Sequence, residues 1–421
     1  MSKRINGQRL ISLVAFGAGL FAIGCGKEGP AEDDSGAFNL GRCYGTDCAA
    51  SVQATVGAET EIRDCSEAAV GTVEEELVFQ APASVPSTEK FTVGPDGSVW
   101  ALSGLGDTDE IVLSHYSAEG VYLGSTEPLA VREPYTSLTS NLSVDSTGQA
   151  LVAIYSVYAP TADDPLTERL VIHTIAGDLS AAREPLLFRG SGDSLLAGGS
   201  GDSFVLAGNG LNNAPHGVLA RFTGGEADWV QTAVPTSGLG AGVGVSALAL
   251  SANGEAAVLA QRSPRWEPGA PDEFRFGIAR FDQNGAMLWN LELPSPYAGG
   301  FSAGMASTPA GDVVIRGVMP GPSLNQQRVL ARLVTSSGTL GWAFRLPGGF
   351  DESLAVDSVG RTVVTSFNTV AIISASGERC DQYTLPVPEG ALAFARGVVV
   401  QGSSFYVDSG SGVRRYRMPA G

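Results

Sequence analysis

The clearest repeating pattern of this chain lies in residues 246–262, SALALSANGEAAVLAQR, and in residues 276–294, FGIARFDQNGAMLWNLELP. Each half consists of two short apolar runs that flank a tight turn, Ala252-Asn253-Gly254 in the first half and Gln283-Asn284-Gly285 in the second. Asn-Gly between two apolar runs is a strong signal for a β-hairpin. The stretch therefore predicts two consecutive hairpins, which make four strands.

The first hairpin recurs along the chain, and each copy carries a glycine in its turn. The spacings between these glycines are 51, 53, 53, 57, 49 and 42 residues, and the copy around 397–402 is degenerate. A period of about 50 residues with four strands per unit is typical of a β-propeller blade. The sequence therefore predicts an all-β, seven-bladed β-propeller of four-stranded blades over residues 73–421, with turn glycines Gly97, Gly148, Gly201, Gly254, Gly311, Gly360 and Gly402.

The second hairpin also recurs, most clearly in 217–222, 277–281 and 329–333. In each of these copies a glycine turn follows, with a tryptophan four residues after the glycine. A tryptophan that repeats in one slot of an outer strand is better explained by packing between blades than by ligand stacking. The three pairs are Gly225 with Trp229, Gly285 with Trp289, and Gly338 with Trp342.

The repeat resembles the bacterial seven-bladed β-propeller repeat of surface and secreted proteins, whose unit joins a VDSxG-xxVVxG half to a xxAKxDxxGxxxW half. Residues 354–365 carry the first half here, and residues 276–293 carry the second. The resemblance covers most of residues 89–418. It implies a scaffold rather than a particular activity, because propellers serve many functions.

The last blade lacks one strand, because the chain stops after 413–418. The run Glu74-Glu-Glu-Leu-Val-Phe79 precedes the first complete unit and has no blade of its own. We expect this run to supply the missing strand and so to close the ring from the opposite terminus. Closure removes the unpaired edges that an open ring would expose.

The N-terminus predicts export. A basic region with Lys3, Arg4 and Arg9 precedes an apolar stretch, Leu10 to Gly24, that is too short to span a membrane and fits a cleaved signal. The sequence Ala22-Ile23-Gly24-Cys25 resembles a bacterial lipobox, which implies residues 1–24 as a lipoprotein signal peptide and acylation of Cys25. The alternative is an ordinary secretory signal in which Cys25 is incidental.

Residues 25–72 differ from the rest in being rich in small and acidic residues without sustained periodicity, which predicts a flexible tether. The tether holds Cys43, Cys48 and Cys65, and Cys380 lies in the body. An even number of cysteines in an exported chain predicts disulfides. Three pairings are possible. We favour Cys43 with Cys48 and Cys65 with Cys380, and metal ligation is the alternative.

The charge of the chain argues against nucleic acid and anionic membrane surfaces as partners. The formal net charge of −18 becomes −21 once Lys3, Arg4 and Arg9 leave with the signal. Binding to phosphate groups depends on Lys and Arg, so an acidic chain is repelled. We expect a monomer whose membrane contact runs through acylated Cys25.

Few residues are candidates for catalysis or metal binding, and we expect no cofactor. His115 and His173 occupy the repeat slot that holds Arg221, Arg280 and Arg332 in other copies, which indicates a structural position. Asp145 and Asp357 share a slot in the first hairpin turn, which indicates turn capping rather than a catalytic pair. The run Asp107-Thr-Asp109-Glu110 has too few ligands for a calcium site by itself.

Loop lengths indicate where a ligand would bind. Short turns join strands one and two and strands three and four, while the segments between strands two and three and between blades are long. These two classes emerge on opposite faces, which we call the plain face and the elaborated face. Function tends to lie in such loops on a rigid scaffold. The candidates on the elaborated face are Tyr158, His216, Trp266 and Tyr297, with carboxylates such as Glu168 nearby.

These observations favour a non-enzymatic lipoprotein of the bacterial cell envelope, anchored to the outer membrane and facing the periplasm or the surface. Its elaborated face would bind an envelope protein or a glycan. One alternative is an accessory role in envelope assembly, as for the propeller lipoprotein of the outer-membrane barrel machinery, whose repeats differ from these. Another is a propeller lyase or a quinone-dependent dehydrogenase. A last alternative is that the long loops merely pack against one another.

Overall fold

A computed structural model of the chain describes residues 55–58, 60–65, 69–80, 82, 88–104, 111–129, 135–158, 167–189, 194–208, 217–232, 243–262, 275–293, 304–319, 328–347, 353–366, 368–386, 397–409 and 412–419. Within these ranges the regular structure consists of β-strands. In the same ranges, there is no helix long and apolar enough to cross a membrane.

Four strands precede the first complete repeat. They are β1 (Thr55–Val56), β2 (Ile62–Asp64), β3 (Ala69–Thr72) and β4 (Glu75–Phe79).

Blades 1 to 3 follow in chain order, each a four-stranded antiparallel sheet. Blade 1 comprises β5 (Thr88–Val93), β6 (Val99–Ser103), β7 (Val112–Tyr116) and β8 (Tyr122–Ser125). Blade 2 comprises β9 (Tyr135–Val144), β10 (Ala150–Tyr158), β11 (Thr167–Ile175) and β12 (Leu186–Arg189). Blade 3 comprises β13 (Ser194–Gly198), β14 (Ser203–Gly208), β15 (Val218–Thr223) and β16 (Glu226–Thr232).

Blades 4 to 7 complete the ring. Blade 4 comprises β17 (Val243–Leu250), β18 (Ala256–Arg262), β19 (Arg275–Phe281) and β20 (Met287–Glu292). Blade 5 comprises β21 (Gly304–Ser307), β22 (Val313–Met319), β23 (Arg328–Val334) and β24 (Leu340–Pro347). Blade 6 comprises β25 (Ser353–Val356), β26 (Thr362–Ser366), β27 (Thr369–Ile373) and β28 (Cys380–Thr384). Blade 7 begins with β29 (Val398–Gln401), β30 (Ser404–Asp408) and β31 (Val413–Arg417).

The first strand of each blade is innermost. Each of these strands contacts the first strands of the two neighbouring blades, and β29 of blade 7 contacts β5 of blade 1, so the contacts run around the full circle. The predicted turn glycines all adopt positive φ, from +61° at Gly402 to +88° at Gly360. Only glycine adopts that conformation without strain, which is why it recurs once per blade. The seven-bladed propeller predicted from the repeat is confirmed.

The core is divided among the blade interfaces. Seven clusters of buried apolar side chains occur among the described residues, one for each pair of neighbouring blades. The cluster between blades 7 and 1, for example, holds Phe79, Tyr116 and Tyr406. Alternate side chains of a strand point to opposite faces of its sheet, so each blade supplies apolar groups to two interfaces. No blade buries both of its faces alone, and the ring is the unit of stability.

Blade 7 takes its fourth strand from the N-terminal part of the chain. Strand β4 pairs antiparallel with β31, and Val413 lies opposite Phe79. This is the strand that the sequence analysis assigned to the last blade. Three consecutive acids of the 74–79 run meet the basic residues of β31: Glu75 accepts from Arg414 at 2.5 Å, Glu76 from Arg417 at 3.1 Å, and Glu74 pairs with Arg417 at 3.0 Å.

Residues 55–72 depart from the tether that the sequence indicates. Strand β1 pairs parallel with β20, β2 with β24, and β3 with β28, so this segment adds a fifth strand to blades 4, 5 and 6. We call residues 55–72 the belt. The tether interpretation failed here because outer strands offer free backbone N–H and C=O groups, which pair with any extended segment whatever its composition. Residues 25–54 of the predicted tether lie outside the described residues.

A disulfide joins the belt to the propeller. The Cys65 and Cys380 sulfurs are bonded, and the two residues are separated by 315 positions in the sequence. Both side chains are buried in the cluster between blades 5 and 6. The favoured pairing of Cys65 with Cys380 is confirmed, whereas Cys43 and Cys48 lie outside the described residues.

Candidate functional site

The plain face is built from tight turns. Five residues separate the first two strands in most blades, as between Val144 and Ala150. Among the turns between third and fourth strands, the 176–185 connection of blade 2 is longer than the others. Asp145 Oδ1 accepts hydrogen bonds from the backbone N–H groups of Thr147 and Gln149, and Asp357 Oδ1 does the same for Val359 and Arg361. These contacts make both aspartates turn caps, as the sequence indicated.

Side chains at the repeated position on the third strand also form contacts at the plain face. His115 Nδ1 donates to the Gly177 carbonyl of blade 2 at 3.1 Å, and its ring stacks on Trp100 with 3.8 Å between ring centroids. Arg221 Nη1 donates to the Gly254 carbonyl of blade 4, and Arg280 Nη1 donates to the Gly311 carbonyl of blade 5. In blades 1, 3 and 4, this side chain thus reaches from its own blade to a turn of the next one. The structural interpretation of the slot agrees with these contacts.

His173 does not share the geometry of this slot: it lies opposite Val152, which belongs to the cluster between blades 1 and 2, so its buried ring faces blade 1. Arg332 likewise lies opposite Ile315 on the face toward the preceding blade, so the sequence prediction of one shared slot is wrong for these two residues. Burial lowers the pKa of His173, and burial likewise lowers that of His115 although the Gly177 carbonyl and Asp96 oppose the shift. The neutral forms of both rings are therefore favoured at neutral pH.

The repeated tryptophans make a second set of contacts between blades. The indole Nε1 of Trp229 donates to the Gln283 carbonyl at 2.9 Å, that of Trp289 to Ser336 at 2.8 Å, and that of Trp342 to Ala375 at 3.3 Å. Each acceptor lies in the turn between the third and fourth strands of the next blade. The plain face is thus occupied by contacts that hold the ring together.

The elaborated face carries the longer connections. Twelve residues separate β18 from β19, and eleven separate β20 from β21. The candidate Tyr158 is the last residue of β10, at the end of that strand nearest this face. His216, Trp266 and Tyr297 lie outside the described residues, as do Asp107, Asp109 and Glu110. The described residues therefore place one of the four candidates, at an edge from which a loop begins.

Close to Tyr158, the blade 2 hairpin carries a carboxyl group in apolar surroundings. Glu168 lies on β11 opposite Val157, and Tyr155 is two positions further along on the same face. Burial raises the pKa of Glu168, and a hydrogen bond from the Tyr155 hydroxyl partly offsets the shift. The sequence analysis placed Glu168 in a loop and did not select Tyr155. The alternation in AIYSVY, 153–158, is the signal that puts Tyr155 on the face of Ala153 and Val157.

The described residues show no metal centre, and one small cavity lies between two blades. No group of three or more His, Cys, Asp or Glu side chains is arranged to hold a metal among them. A cavity of about 10 Å³ lies between blades 5 and 6, lined by Val329, Val364, Ala371 and Gln382 among others. That volume suits one water molecule rather than a substrate.

Comparison with known proteins shows no family for this chain. No family model and no curated protein matches the chain. Among solved structures, virginiamycin B lyase from Staphylococcus aureus is 14% identical, covers 82% of this chain and 98% of its own, and has a TM-score of 0.48. A chain of the mitotic checkpoint complex is 10% identical, covers 87% of this chain and 100% of its own, and has a TM-score of 0.49.

A third similar structure is the extracellular domain of a putative one-component system from B. thetaiotaomicron. It is 10% identical, covers 82% of this chain and 40% of its own, and has a TM-score of 0.41. The proteins compared differ widely in what their names say they do. Their likeness to this chain concerns the architecture alone.

Proposed function

We propose that the protein is a membrane-anchored lipoprotein outside the cytoplasm, whose propeller binds an envelope protein or a glycan through its elaborated face without enzymatic chemistry. The supporting observation is the unequal use of the two faces. On the plain face, His115, Arg221 and Trp229 are engaged in bonds between blades. Residues committed to holding the ring are poorly available to a ligand, which leaves the longer connections of the other face.

The N-terminal sequence supports the anchor. Acylation of Cys25 would supply several lipid chains, which is enough for stable attachment. The buried Cys65–Cys380 disulfide supports an oxidising compartment, since such bonds persist in exported proteins. Both features suit the cell envelope.

Aromatic side chains beside carboxylates suit recognition of a sugar ring or a protein surface. Tyr158, Trp266 and Tyr297 supply the aromatic groups, and Glu168 supplies a carboxyl group whose pKa is raised by burial. Aromatic residues contribute much of the binding energy at protein interfaces.

The test is a pull-down with the full lipidated chain from detergent-solubilised membranes, with mass spectrometry of its partners and of its own N-terminal peptide. We expect an acylated Cys25 and one reproducible envelope partner, or a glycan on an array. Trp266→Ala with Tyr297→Ala should reduce capture at least tenfold. The matched control is Val359→Ser on the plain face, since Val359 is 65% exposed and its loss should leave capture unchanged. Equal capture by both variants would refute the choice of face.

A further inference from the structure

We propose that the Cys65–Cys380 disulfide is a stop: separation of the N-terminal segment from the propeller ends there and does not reach β4, which closes the ring. The separation starts by thermal fraying or by tension on the N-terminus. The role under tension rests on the anchor proposed above, whereas the role against fraying does not.

The part of the belt before the disulfide is weakly held. Strands β1 and β2 contain two and three residues, and each pairs with only one strand. The Asp64–Arg345 ion pair is 3.0 Å long, but the two side chains are 60% and 38% exposed, so it adds little stability. Arg63 stacks its guanidinium on the Phe344 ring at 4.5 Å and also donates to the Gly377 carbonyl. Chain termini with few buried contacts open most readily.

The part of the belt after the disulfide offers no barrier of its own. All four residues of β3 are exposed, and Val70 is 60% exposed. Strand β3 begins four residues after Cys65 and ends three residues before β4. An opening that passed Cys65 would therefore cross β3 with little resistance. It would then have to release Val73, which is 5% exposed, packs between blades 6 and 7 and donates its N–H to the Thr384 carbonyl at 3.1 Å, before it arrived at the seam between blades 7 and 1.

The seam is where an opening would do most damage. Phe79 of β4 is 1% exposed and packs against Tyr116 of blade 1 and Tyr406 of blade 7, with ring centroids 6.2 and 5.9 Å away. Loss of β4 would expose these rings and leave β31 with a free edge. A propeller with an open seam has separable terminal blades.

The disulfide attaches the N-terminal segment covalently to blade 6 at Cys65, which precedes β4 in the chain. Cys380 is the first residue of β28 and pairs with Ile373, so it is part of the blade rather than of a loop. Cys65 is 3% exposed and its N–H donates to the Arg345 carbonyl of blade 5 at 3.0 Å. A covalent bond at this position interrupts the series of non-covalent contacts that leads from β1 to β4.

Hydrogen exchange on the mature full chain tests the stop. Ile62→Ser with Arg63→Ala weakens β2 and leaves the disulfide intact. Exchange at Arg417 of β31, whose N–H donates to the Glu74 carbonyl at 2.9 Å, reports on the pairing with β4, and exchange at Val205 to Ala207 of β14 reports on global stability. We expect the weakened belt alone to change exchange at β31 less than twofold.

Combining the weakened belt with Cys65→Ser and Cys380→Ser should accelerate exchange at β31 at least tenfold more than at β14. If that chain does not fold, mild reduction of the folded weakened-belt chain with a phosphine gives the same comparison. Fast exchange at β31 with the disulfide intact, or equal acceleration of β31 and β14 without it, would overturn the proposal. Neither result depends on lipid or ligand, so failure here is distinct from failure of the proposed function.

Discussion

The indole of Trp229 in blade 3 lies against Gly285 in blade 4, so closely that a Cβ added to the glycine would meet Trp229 Cδ2 at 2.7 Å. Gly285 also has a φ of +83°. The same tryptophan donates its Nε1–H to Gln283 in that turn. Blade 3 therefore contacts the turn of blade 4 in two ways: the indole ring packs on Gly285, which has no side chain, and the indole N–H binds the Gln283 carbonyl.

Gly285→Ala should destabilise the ring by about 2–4 kcal/mol, because it adds both backbone strain and a clash with the indole. Gly148→Ala is the matched control, since Gly148 has a φ of +86° and nothing within 4 Å of its added Cβ. The control should cost only about 1 kcal/mol. Denaturant unfolding measures both values. Equal losses would show that the tryptophan contact contributes nothing.

Glu76→Gln should weaken ring closure at neutral pH. Burial acts to raise the pKa of Glu76, but hydrogen bonds from Ser404 and Arg417 and the charges of Arg415 and Arg417 outweigh it and lower the pKa. A lowered carboxyl pKa stabilises the fold above the usual value of 4.5, and this stabilisation is lost as the pH falls through the folded-state pKa. We expect a loss of roughly 1–2 kcal/mol at pH 7, because charged hydrogen bonds are removed.

The measurement for Glu76 is the free energy of unfolding as a function of pH. The difference between Glu76→Gln and the parent chain should vanish in acid. Glu74→Gln is the control, since the Glu74–Arg417 pair is about 60% exposed on both sides and should matter little. A difference that persists unchanged in acid would rule out the charge as the cause.

His173 should make the fold sensitive to mild acid. Burial lowers its folded-state pKa below the usual 6.5, so the unfolded chain binds the proton first and stability falls as the pH drops below 6.5. His173→Gln should flatten the decline of unfolding free energy between pH 7 and pH 5. His115→Gln should flatten it less, because the Gly177 carbonyl and Asp96 partly offset burial there. An unchanged slope in His173→Gln would show that this ring does not titrate over the range.

Glu168→Gln should have the opposite dependence. Burial raises the pKa of Glu168, so its stabilising contribution is present below the usual 4.5 and is lost as the pH rises through the folded-state pKa. The amide carries no charge to desolvate, so the variant should be more stable than the parent at pH 7 and equal to it near pH 3. Thermal unfolding at both pH values measures the change. If the carboxyl serves a ligand, the same variant should also lose binding in the pull-down assay.

The blade number and the turn positions could be predicted from the sequence alone, which also favoured the Cys65–Cys380 pairing among three possibilities. These properties are local or repeated: a glycine at Gly254 is needed by its own turn, and a tryptophan at Trp289 by a slot that recurs. Because each blade has the same physical requirement, the same residue types recur at a fixed period, and the pattern can be recognised without a structure.

The course of residues 55–72 and the surroundings of Glu168 could not be predicted before the ring was known. The belt has no pattern of its own, because its pairing depends on the free edges of β20, β24 and β28, which are distant in sequence. Glu168 has a raised pKa because the hairpin of blade 2 brings it beside Tyr155 within an apolar surface. Both are properties of the partner surface rather than of the segment, and a partner surface exists only once the ring has formed.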